Sequence, residues 1–89
     1  MSELELIDAK IRETENYMKE WGKVVNKKLV DLELNKRQFA KILGLNENTA
    51  YSVIGGYVSY PEHRQKIITK IHELEAQQAA KHSAGGVAV

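Results

Sequence analysis

Helix-breaking residues are scarce in this chain, and their placement constrains the fold more than any other feature. There is one proline, Pro61, and there are six glycines. Before residue 80 the glycines fall only at Gly22, Gly44 and the pair Gly55-Gly56. The segments between them are rich in Leu, Ile, Val, Glu, Lys and Ala, types mostly compatible with a helix. Alternation of apolar and polar residues over a strand-length window is hard to find. The stretch Tyr57-Val58-Ser59-Tyr60 comes closest, but it lies between a glycine pair and a proline and reads as a loop. The expected fold is all-α.

At 89 residues the chain supplies one small domain. It has no cysteine, which excludes disulfides, thiolate zinc sites and cysteine nucleophiles. Its apolar runs are far shorter than the roughly 20 residues that span a bilayer. The acidic start Met-Ser-Glu-Leu-Glu lacks the apolar core of a signal peptide. These features predict a cytoplasmic protein with no membrane contact. His63, His72 and His82 never fall four apart, so no metal site is expected. Asp31 and Glu33, or Glu73 and Glu75, are two apart on helices and point in different directions, which argues against a catalytic dyad. No Ser–His arrangement is positioned for nucleophilic chemistry. Neither enzyme activity nor a cofactor is expected.

The first segment runs from about Ser2 to Trp21. Leu4, Ile7, Ile11, Thr14, Met18 and Trp21 alternate in spacings of three and four, an amphipathic helical seam. Ser2 is placed to cap this helix, with Glu5 completing a capping box. Charges including Asp8, Lys10 and Arg12 flank the seam. Such a helix is marginal alone and needs a partner surface. That surface is either the rest of the domain or another chain, in a homodimer or with a regulatory protein, and the balance tilts towards an intermolecular role. A second helical stretch covers about Lys23 to Leu34, with Val25, Leu29 and Leu32 as its stripe. Gly22 either separates the two segments or merely weakens one long helix at about 1 kcal/mol. A last helix begins at Pro61, a residue suited to a first turn, and carries Ile67, Ile68, Ile71 and Leu74. Its apolar face is a second candidate dimer surface. The organisation expected is an amphipathic helix over 1–22, a domain over 23–79 and a disordered tail over 80–89.

The stretch from Asn35 to Pro61 carries the functional information. Phe39, Ala40 and Leu43 form one apolar face of a short helix beginning near Lys36, and Gly44 stops it with a positive φ. Leu45 re-enters the core, and Asn46 caps a second short helix. Ala50, Val53 and Ile54 lie on its inner side, and Gly55-Gly56 ends it. Two short helices joined by a glycine-containing turn make a helix-turn-helix. The small Ala40 lets the helices approach closely. Glu47, Asn48, Thr49, Tyr51 and Ser52 lie off the buried stripe, a polar surface of the kind that reads base edges in a major groove.

These residues resemble the lambda-type phage repressor and Cro family, the Xre-type helix-turn-helix proteins. The likeness rests on Phe39-Ala40, Gly44-Leu45, Val53, Gly56 and Pro61 at matching spacings, and covers roughly residues 23 to 75. Lys36 departs from the glutamine common in the family, Ala50 is smaller than usual, and Ile54 replaces a polar residue. The resemblance implies a lambda-repressor-like domain carrying an extra N-terminal amphipathic helix. It also implies a DNA-binding transcriptional regulator, a repressor of phage or mobile-element type, acting as a dimer on double-stranded DNA. Glu47, Asn48, Thr49, Tyr51 and Ser52 then occupy base-reading positions. Asn35, Lys36, Arg37, Lys41, Tyr57 and Tyr60 occupy phosphate-contacting ones. Leu4, Ile7, Ile11, Met18 and Trp21 remain as the interaction helix.

Charge distribution supports this map. The formal net charge of +1 conceals a segregation, because residues 1–20 carry six acids against three bases and residues 21–55 carry six bases against three acids. Local sign matters more than the total for a duplex binder. The competing expectation is a protein-interaction module, such as an antirepressor, antitoxin or co-regulator, working through the acidic N-terminal helix. RNA binding through Tyr51, Tyr57 and Tyr60 is a third reading, which the helix-turn-helix spacing disfavours.

Overall fold

A computed structural model describes residues 2–88, with the side chains of Glu15 and of residues 81–88 outside the description. Five helices make up the fold: α1 (Glu3–Glu13), α2 (Met18–Asp31), α3 (Lys36–Leu43), α4 (Glu47–Ile54) and α5 (Pro61–Ala88). There is no strand among the described residues.

The seam over residues 4–21 belongs to two helices. Ser2 caps α1 by accepting from the Glu5 N–H at 3.2 Å. The Glu5 carboxylate meets the Ser2 hydroxyl at 3.4 Å, so the reciprocal bond to the backbone of a capping box is not made. Thr14 then takes an extended conformation, φ −153° and ψ 136°, and a 3₁₀ turn over Glu15–Tyr17 leads into α2. This corrects the single helix expected from Ser2 to Trp21. A spacing of threes and fours persists when both halves of a folded pair face one core, so the pattern alone hides the break. The seam accordingly closes on its own domain: Leu4, Ile7, Ile11, Met18 and Trp21 are all buried in one cluster with Val25, Phe39, Val53 and Ile67. The expectation that these five side chains face another molecule is overturned. Ile67 and Ile71 of α5 are also buried and Leu74 packs against the same cluster, so the second candidate dimer surface is likewise internal.

Gly22 does not interrupt the chain. Helix α2 passes through it, and the expected boundary between 1–22 and 23–79 falls mid-helix. Its role is spatial. A Cβ built on Gly22 would lie 1.8 Å from the carbonyl oxygen of Ile54, so α2 and the end of α4 touch backbone to backbone. Gly56, at φ 78°, extends the contact, its missing Cβ position lying 3.1 Å from the Lys19 backbone. Ile54 is 1% exposed beneath this crossing.

After α2 the chain turns through Glu33, whose φ of 60° lets Glu33 and Leu34 donate back to Val30 and Leu29 at 3.0 and 2.9 Å. That closes the helix in a Schellman arrangement. Helix α5 begins at Pro61 as expected. Its backbone is helical to Ala88, where the sequence reading expects a disordered tail from residue 80. Ala76, Ala79 and Ala80 are strong helix formers. Val89 lies outside the described residues.

An ion pair locks the first helix onto the last. Arg64 Nε donates to Asp8 Oδ1 at 2.6 Å, the two side chains being 2% and 5% exposed. Arg64 Nη1 also donates to the Ser59 hydroxyl at 3.1 Å, and Arg12 approaches the other Asp8 oxygen at 3.4 Å. The sequence reading places Asp8 among the charges that flank the seam. The structure shows it buried.

Two stability outcomes are expected. Gly22→Ala raises helix propensity by about 1 kcal/mol but drives a methyl into the Ile54 carbonyl, so a net loss of more than about 2 kcal/mol is expected. Urea denaturation reads the sign directly, and a stabilised variant would contradict the backbone contact. Arg64→Met alone leaves the buried Asp8 carboxylate with the more distant, exposed Arg12 at 3.4 Å and is expected to cost about 3 kcal/mol, the lower end for a broken buried pair. Arg64→Met combined with Asp8→Leu is expected to recover most of that loss in the same assay.

Candidate nucleic-acid interface

The outer surface of α3 and α4 is set by three capping and turn devices. Asn35 caps α3 with a complete capping box: its side chain accepts from the Gln38 N–H at 2.7 Å, and the Gln38 side chain accepts from the Asn35 N–H at 3.0 Å. Gly44 ends α3 in the left-handed region, φ 74°. The N–H groups of Gly44 and Leu45 then return to Lys41 and Ala40. Asn46 caps α4 by accepting from the Asn48 N–H at 2.8 Å. The three-residue turn 44–46 therefore has most of its local hydrogen bonding fixed within the chain.

Ala40 and Ala50 are both fully buried, and α4 packs on both α2 and α3. Small side chains here let α4 sit close against two helices at once. The small Ala50 is thereby fully buried. With Ala50, Val53 and Ile54 directed inward, Asn48 and Tyr51 are exposed, while Glu47, Thr49 and Ser52 are half-buried. All five expected base-reading residues thus retain solvent access on one eight-residue helix.

Two contacts tie the start of α3 to the outside of α4. Arg37 Nε donates to Glu47 Oε1 at 2.9 Å. Lys36 Nζ lies 5.9 Å from the centre of the Tyr51 ring, within cation–π range. Lys36, Arg37, Glu47 and Tyr51 are therefore one cluster. The backbone N–H groups of Lys36 and Arg37 have no acceptor inside their own helix, so donors and positive charge coincide there. Lys41 is exposed little more than one turn along α3. Asn35 differs from its expected part in one respect, since its carbonyl oxygen is spent on the cap and only its amide group is left to reach outward.

The exit loop holds Tyr57 at the far end of α4. A Cβ at Gly55 would lie 2.7 Å from Tyr57 Cε2, so the ring lies across that glycine. The Tyr57 N–H donates to the Ser52 carbonyl at 3.0 Å. The ring is nonetheless 79% exposed. Gly55 itself has an ordinary helical φ of −72°, so it is the ring, together with the Tyr51 carbonyl 2.9 Å from the same position, that excludes a side chain. Tyr60 packs edge-on against His63, 5.5 Å between ring centres, and remains half exposed.

Elsewhere the surface offers less. A shallow cavity of about 150 Å³ lies between α1 and α5, lined by Glu5, Asp8, Ala9, Arg12 and Gln65. It is small for an organic ligand, and its Asp8 is already engaged. Among the described residues no three of His, Asp and Glu converge as a metal-ligand set. No helix there is long and apolar enough to cross a membrane.

Sequence reasoning missed the Arg37–Glu47 pair and the Asp8–Arg64 lock. Neither has a spacing signature, because the partners are brought together by tertiary packing. The helix-turn-helix reading, taken further, does place the starts of the two short helices side by side, which is the one signal for the first of them. Compared with models of protein families, with curated proteins and with solved structures, the chain has no significant match.

Proposed function

We propose that the protein is a sequence-specific binder of double-stranded DNA, a transcriptional repressor of phage or mobile-element type built on a lambda-repressor-like helix-turn-helix. The observation that carries this reading is the arrangement around α4. A short helix presents five hydrogen-bonding side chains outward, and the cationic start of α3 is fastened beside it at Arg37–Glu47 and Lys36–Tyr51.

Helix α4 enters the major groove. Asn48 bonds an adenine through its N6 and N7 positions, and Glu47 accepts from a cytosine amino group. Thr49 and Ser52 supply shorter contacts, and Tyr51 meets the sugar–phosphate edge or a thymine methyl. Lys36, Arg37 and Lys41, with the free N–H groups at the start of α3, grip phosphates. Tyr57 and Tyr60 add hydroxyl contacts that carry no charge and so little salt dependence. One short helix reads few base pairs, so two copies act on a palindromic site with half-sites about 34 Å apart. The copies meet through surface outside the buried seam, where Leu6, Val30 and Ile42 are the large exposed aliphatic side chains among the described residues.

Selection of bound sequences from a random duplex library, run at two salt concentrations, is expected to enrich a two-fold symmetric motif. Replacing Asn48 and Ser52 together by Ala is expected to erase discrimination between that motif and random duplex. Each lost base contact is worth about 1–3 kcal/mol, while the melting transition stays near that of the parent. Failure to enrich any motif, or undiminished discrimination in the double variant, would rule out base reading by α4.

A further inference from the structure

Arg37 and Glu47 have conflicting parts in a DNA complex. Arg37 is drawn to phosphate, whereas a carboxylate at the same surface is repelled by it. Yet they are joined at 2.9 Å, with side chains 69% and 43% exposed. Among the described residues this is the ion pair that links α3 to α4. Both side chains are open to solvent, so the bond adds little to stability. Its consequence lies in the field it presents.

We propose that Glu47 is a charge mask on Arg37, and that the pair makes the protein selective by lowering its affinity for non-cognate DNA. This rests on the DNA-binding reading above. Affinity for any duplex scales with the counterions released as cations neutralise phosphates. A guanidinium already matched by a carboxylate releases almost none. Random sequence therefore meets a face one cation poorer than the count of Lys and Arg suggests. A cognate site behaves differently. A cytosine amino group in the groove gives Glu47 a donor in exchange for Arg37, and the freed guanidinium turns to the backbone. Away from such a donor the exchange leaves a carboxylate facing acceptors and phosphates, so the pair stays closed.

The mask predicts effects of opposite sign from its two halves. Binding to a random-sequence duplex is read by fluorescence anisotropy at about 50 to 200 mM salt, on either side of the ionic strength at which the Debye length is about 10 Å. Glu47→Gln is expected to tighten this binding about three- to eightfold and steepen the log–log salt slope by about one. Arg37→Gln is expected to weaken binding and flatten the slope by a similar amount. The combined Arg37→Gln, Glu47→Gln variant is expected to return most of the way to the parent. Thermal melts by circular dichroism confirm that all three variants remain folded. Weaker or unchanged binding in Glu47→Gln would overturn the mask and leave Glu47 an ordinary reader. So would a double variant as weak as Arg37→Gln alone. A parent chain that binds no duplex even at 50 mM salt would overturn the DNA-binding reading, and the mask with it.

Discussion

The contact between the Gly22 backbone and the Ile54 carbonyl is the constraint on which the other arrangements depend. Helix α4 is only eight residues long, too short to hold a shape alone. It keeps its place because α2 can approach its last turn without a side chain between them. From that crossing α4 also reaches α3 through the fully buried Ala40 and Ala50. A helix held on two sides along its length presents its remaining face in a fixed orientation. Geometric precision of this kind is required of any surface that must match a regular pattern of donors and acceptors.

The first helix serves the same end from the outside. Leu4, Ile7 and Ile11 cover the core, and Asp8 anchors α1 to α5 through Arg64. Arg64 continues to the Ser59 hydroxyl, so the exit loop after α4 is tied to a buried charge. An apolar pair of similar volume can match or exceed such a pair in stability. What the charges add is direction, since a planar guanidinium bonds Asp8 and Ser59 from separate nitrogens and so fixes their relative placement. A helix that looks detachable in sequence is thus part of the frame that steadies the candidate interface.

Local signals were legible in the sequence and long-range ones were not. Ser2 and Asn46 sit at helix starts, and Gly44 at a helix end, because caps and positive φ act over three or four residues. The inward set Phe39, Ala40, Leu43, Ala50, Val53 and Ile54 followed from periodicity. The break at Thr14 did not, because a stripe read in threes and fours survives a reversal of the chain. Gly22 carried the right residue and the wrong reason: its cost as a helix interior was visible, but the carbonyl facing it belongs to a residue 32 positions away. Arg37–Glu47 escaped for the same cause, since each side chain alone reads as a surface charge. The candidate site was therefore legible as a set of positions, whereas the pairing among them emerged only from packing.

Segregated charge in a nearly neutral chain has a physical scale that decides whether it matters. Helix α1 packs on α2 and α5, while α3 and α4 pack on each other and on α2. Helix α1 is not a main packing partner of α3, and packed helix axes are about 8–10 Å apart. Screening in physiological salt acts over about 8 Å, so a carboxylate on α1 barely offsets a cation on α3. Glu47, 2.9 Å from Arg37, lies well inside that distance and is screened from it far less. The potential at the outer face of α3 and α4 is consequently governed by this single neighbour more than by all the acids of the first helix. That is why a formal charge of +1 says little about the affinity of this surface for a polyanion.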